Sequence, residues 1–142
     1  MENDVLSRLT MNEGTRTLAK RLFGIALILL ILDGIYCAAN LIEWYLILGK
    51  AWSTHVTSQF YFFNYILRPI LILIQIVISL IAYIMNYKAY GSINTAFKNQ
   101  EPILVNKGFK NIFTVFLLTA ISFIIEISST VYQIILIKGS KG

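Results

Sequence analysis

Four ionisable side chains lie inside long apolar runs: Asp33 and Glu43 in the first, Arg68 in the second and Glu126 in the third. In hydrocarbon each such group costs about 2.5 to 3.5 kcal/mol on insertion scales, so each needs a partner or a task. Two kinds of chemistry are open to them. A carboxyl group in a membrane interior can exchange a proton or hold a cation, which is what Asp33 and Glu126 offer. A guanidinium presents a fork of donors to carboxylate oxygens, which makes Arg68 a clamp for Glu43 or Glu126. The alternative for Arg68 is to snorkel outward, with Pro69 opening the helix that follows it.

The runs that carry these groups cover approximately residues 22–49, 60–87 and 109–137. Each exceeds the roughly 20 residues that an α-helix needs to cross a bilayer. The 142-residue chain is 57% hydrophobic with a mean hydropathy of +0.71, against about 45–50% apolar content in soluble domains. The expectation is an all-α integral membrane three-helix bundle, one domain over residues 1–142. Arg21 and the run after it imitate a signal peptide, but the apolar stretch continues past Asp33 to Leu48, too long for a cleavable core, so the first span is expected to be retained.

Polar residues inside the spans fall at helical spacing. Asp33, Tyr36, Asn40 and Glu43 share one face of the first span. Arg68, Gln75, Ser79, Ala82 and Asn86 share a face of the second, and Thr119, Ser122, Glu126, Thr130 and Gln133 a face of the third. Lipid satisfies none of these groups, so the stripes should face one another or a partner chain. At 1.5 Å per residue from the flanking Arg21, Lys88 and Lys110, Asp33 lies about 18 Å deep, Gln75 about 20 Å and Ser122 about 18 Å. Glu43, Arg68 and Glu126 fall further out, at about 33, 30 and 24 Å. Two layers are therefore expected: Asp33 with Gln75 and Ser122, and Arg68 with Glu43 and Glu126, with Asn40 on the same stripe. A neutral Asp33 would hydrogen-bond Gln75 or Ser122; the functional reading makes it a proton or cation site.

Eight basic residues flank one side of the spans (Arg8, Arg16, Lys20, Arg21, Lys88, Lys98, Lys107 and Lys110) and four the other (Lys50, Arg68, Lys138 and Lys141). The positive-inside rule puts the N-terminus in the cytoplasm and the C-terminus outside. Small size and simple topology suggest a bacterial inner membrane. Trp44, Tyr45, Trp52 and the aromatic residues from Phe60 to Tyr65 mark the outer boundary. Tyr90, Ile93 and Phe97 continue helical spacing beyond the second span, although Gly91 weakens it, and Glu101-Pro102 suits a helix start. Spans two and three should thus form a cytoplasmic helical-hairpin extension with its tip near Asn99 to Glu101. Thr10 and Glu13 have capping-box spacing for the first helix, Gly14 argues against a rigid continuation, and Val5, Leu6 and Leu9 suggest a short surface helix.

Other chemistry lacks its residues. Cys37 and His55 are each the sole member of their type, too few for a disulfide, a zinc site or a bis-histidine haem. No serine stands in a nucleophile elbow, and no glycine pattern forms a phosphate loop. No cofactor, no metal and no catalysis are expected. The net charge of +5 is what membrane insertion and anionic headgroups call for, and implies no nucleic-acid partner. The expected partners are the lipid bilayer and either further copies of the chain or another membrane protein. Function is expected to be that of an assembly, accessory or scaffold subunit working through polar helix faces. The alternative is a small oligomeric proton- or ion-linked transporter or channel using Asp33 and Glu126.

Overall fold

A computed structural model describes residues 12–51 and 58–139. Among them the chain is three long helices: α1 over Glu13–Ala51, α2 over Ser58–Asn99 and α3 over Pro102–Gly139. All three are long and apolar enough to cross a membrane, which is consistent with a membrane protein. His55, Trp52, the suggested helix through Val5, Leu6 and Leu9, and Thr10 of the expected capping box lie outside the described residues.

Asn12 caps the helix: its Oδ1 accepts from the Thr15 backbone N–H at 2.7 Å and from the Thr15 hydroxyl at 2.9 Å. A side-chain oxygen one residue before the helix satisfies an amide that has no intrahelical partner. The helix then runs unbroken through Gly14, Gly24 and Gly34. α2 likewise passes through Gly91 and ends at Asn99. Gln100 adopts the left-handed conformation (φ 57°, ψ 41°), and the Glu101 N–H closes the turn on the Ala96 carbonyl at 3.0 Å. Pro102 then opens α3, where a missing amide proton costs nothing.

Buried positions repeat with alternating spacings of three and four. On α2 they are Arg68, Ile72, Gln75, Ala82, Asn86, Ala89, Ile93 and Ala96, with half-buried Ser79 filling the one gap. On α3 the row is Val105, Gly108, Ile112, Val115, Thr119 and Ser122, continued by half-buried Glu126 and Ser129 to Gln133. On α1 it is Ala19, Ala26, Leu30, Asp33 and Cys37. A 3.5-residue period keeps one seam facing inward along the whole length, as in a left-handed coiled coil. α2 and α3 pair most extensively, and α1 lies more on α2 than on α3.

One end of the seam is apolar and built from small residues. Ala19, Ala89, Ile93 and Ile112 form one cluster, and Ala26, Leu30, Ala82 and Val115 the next. Alanine and glycine let helix backbones approach closely, the device that holds helices together where lipid removes the hydrophobic drive. A Cβ at Gly108 would come within 2.4 Å of Ile93 Cγ1, so only glycine fits the α2–α3 crossing. The opposite faces are apolar and bare: Ile28, Ile35 and Ile42, one heptad apart, are 60, 61 and 62% exposed. Water would not tolerate such a stripe, whereas hydrocarbon matches it.

Candidate functional site

The polar residues of the seam form two connected groups. Asp33 of α1 is 1% exposed and meets the other two helices. Its Oδ1 accepts from the Ser122 hydroxyl of α3 at 2.7 Å, and its Oδ2 is bonded to the Ser79 hydroxyl of α2. Gln75 lies in the same layer but does not reach Asp33. Its amide donates to the Ser122 backbone carbonyl at 3.2 Å, tying α2 to α3 beside the carboxyl group. The expected layer of Asp33, Gln75 and Ser122 thus comes together, with Ser79 as the contact that depth counting did not single out. Ser79 stood in the α2 stripe, seven residues before Asn86, and this was its only sequence signal.

Ser79 has a second acceptor in reach, the Gln75 carbonyl at 2.9 Å. A hydroxyl has one proton to donate. When Asp33 is ionised, Ser79 donates to it. When Asp33 carries the proton, Asp33 donates to Ser79 and Ser79 donates to Gln75 O. Either arrangement leaves the carboxyl group bonded to both serines.

The second group centres on Arg68, 2% exposed despite its charge. Its Nη2 donates to Glu43 Oε2 at 2.8 Å and lies 3.5 Å from Asn40 Oδ1. Asn40 turns its amide to Glu126 Oε1 at 3.3 Å, and Gln133 donates to the other Glu43 oxygen at 3.4 Å. Arg68 therefore clamps Glu43, while Glu126 joins the group only through Asn40. Three carboxyl groups (Asp33, Glu43 and Glu126) share the seam with this one guanidinium.

The backbone of α2 explains why Arg68 points inward. Phe63–Leu67 form a π turn, closed by the Arg68 N–H on the Phe63 carbonyl. Pro69 can neither donate to residue 65 nor sit close against its carbonyl, and a widened turn relieves both problems. The extra residue returns Arg68 to the same side as buried Phe63 and Asn64. Snorkelling is thereby replaced by burial, while Pro69 does stand in the first turn of the α-helical stretch Arg68–Asn99 that follows the π turn. Trp44 Nε1 donates to the Asn64 carbonyl at 2.7 Å, fastening α1 to this turn. Among the described residues, Arg68 Nη1, Asn64 Oδ1 and Asn86 Oδ1 are buried without a hydrogen-bond partner.

Tyr36 and Thr130, both members of the expected stripes, lie off the seam. Tyr36 is exposed on α1 and meets Phe123 of α3 edge-on, with ring centroids 6.0 Å apart. The seam runs through Cys37 instead, because at about 100° per residue position 37 lies only about 40° from Asp33 and position 36 about 60°. Thr130 is exposed as well, and Ser129 occupies the seam-side position. Tyr36, Phe123, Glu126 and Thr130 border a shallow groove of about 290 Å³ between α1 and α3. Glu43, with its side chain 54% exposed, is the other carboxylate on this open side.

The chain matches no protein-family model, no curated protein and no solved structure, so its chemistry is read from this geometry alone.

Proposed function

We propose that the chain is a multi-pass membrane protein and a non-catalytic assembly, accessory or scaffold subunit. One observation carries this reading: the charged groups of the seam find partners inside a single chain, Asp33 in two serines and Arg68, through Nη2, in Glu43. A seam closed in this way is a device for fixing three helices in one rotational register. The groove beside Glu126 and Thr130 then suits a helix of a second copy or of another membrane protein that brings a hydrogen-bond donor. Lysine and arginine placement supports a cytoplasmic N-terminus, as in a bacterial inner membrane, with the turn at Gln100 and Glu101 as a cytoplasmic contact. Extraction in a mild detergent followed by sizing and mass spectrometry tests the proposal. A homo-oligomer or a defined complex is expected; a monomer without partners overturns it.

The proton arrangement at Ser79 favours a second reading, proton-linked transport through an oligomer. Here Asp33 exchanges its proton and Glu126, on the open side, supplies the next carboxyl group. Reconstituted vesicles would show a pH-driven flux abolished by Asp33→Asn and by Glu126→Gln. Absence of flux, or parental flux in both variants, eliminates this reading.

A further inference from the structure

A cleft of about 220 Å³ lies between the first turns of α1 and the last turns of α2, outside the polar seam. Arg16 and Lys20 line it from α1, one helical turn apart, and Tyr90, Asn94 and Phe97 line it from α2. The Arg16 guanidinium sits 5.7 Å from the centroid of the Phe97 ring, which holds it against the far wall. Deeper in, Phe23 and Tyr90 stack at an angle with centroids 4.9 Å apart, giving the cleft an aromatic floor. Among the described residues the sole ion pair is the one between Arg68 and Glu43, so neither cation in the cleft is paired with a carboxylate of those residues.

We propose that this cleft binds the headgroup of an anionic glycerophospholipid. Two such cations match a phosphate whose headgroup brings no ammonium of its own, and the Asn94 amide adds a neutral donor. The rings of Phe23 and Tyr90 continue the site toward the apolar part of the helices, where an acyl chain runs. A soluble anion would use the cations alone; the lipid uses the aromatic floor too, and this selects it. The placement also follows from charge: this end of the bundle carries the flanking basic residues that belong at the anionic leaflet.

The proposal rests on the membrane reading, which retention of the chain in alkali-washed membranes tests separately. The direct test titrates the purified full chain, in a neutral detergent, with phosphatidylglycerol, with phosphatidylcholine and with inorganic phosphate, following binding by native mass spectrometry. Saturable binding of phosphatidylglycerol in preference to phosphatidylcholine is expected. Arg16→Gln and Lys20→Gln should each weaken it about fivefold, the usual worth of one cation near an anionic surface. Asn94→Leu should weaken it with no change in charge. The pair Lys107→Gln and Lys110→Gln removes the same charge from the same end without touching the cleft, and should leave affinity within about twofold. Equal losses from both pairs would reduce the effect to diffuse attraction and overturn the site. Inorganic phosphate binding as well as the lipid would overturn the lipid assignment.

Discussion

At Asp33, one carboxyl group holds three helices together, and its substitutions separate charge from hydrogen bonding. Asp33→Asn keeps an acceptor for Ser122 and donates to Ser79, which then turns its proton to the Gln75 carbonyl. Its stability in a denaturing-detergent titration should stay within about 1 kcal/mol of the parent. Asp33→Leu removes both bonds and should cost about 1–3 kcal/mol. Arg68→Met leaves Glu43 and Asn40 without their cation. The expected loss is about 3 kcal/mol, the lower end for breaking a buried pair because the Glu43 side chain is half exposed. Adding Glu43→Gln should recover part of it. The sequence exposed these residues because charge in hydrocarbon is rare. It did not show which carboxylate Arg68 would choose, since the choice depends on the π turn ahead of Pro69, a backbone adjustment with no periodic signature.

At the scale of elements, the alternation of three and four is legible over most of α2 and α3, and it fixes which residues meet. Phase within a stripe is harder to read. Tyr36 and Cys37 lie on either side of the α1 midline, and the smaller angular offset of Cys37 from Asp33 decides between them. The tight crossing at Gly108 was invisible in sequence because it depends on Ile93 arriving opposite. Gly108→Ala should gain helix propensity of about 1 kcal/mol and lose about 1–3 kcal/mol to overpacking against Ile93. The net loss should be read as a lower midpoint of detergent-induced unfolding. In an Ile93→Ala background the same change should become neutral or favourable, the sign of direct coupling.

For the molecule as a whole, the three bare apolar faces and the basic end are the features that follow from composition, and they make topology testable. Cys37 is the sole cysteine, so Cys37→Ser gives a clean background in which Gln100→Cys marks the turn between α2 and α3. An impermeant maleimide should label position 100 in inverted membrane vesicles and not in intact cells. Labelling from the outside would reverse the orientation. The side of the membrane is legible only as a bias in lysine and arginine placement, because no contact within the chain depends on it.

The cross-helix bonds of Asp33 and Glu43 also impose an order on biogenesis. α1 is synthesised first, yet the donors for its two carboxyl groups belong to segments made afterwards: Arg68 and Ser79 on α2, Ser122 and Gln133 on α3. Until those arrive, the nascent first helix carries two acids that lipid does not solvate. A chain truncated after α1 should therefore resist alkaline extraction from membranes less well than the complete chain.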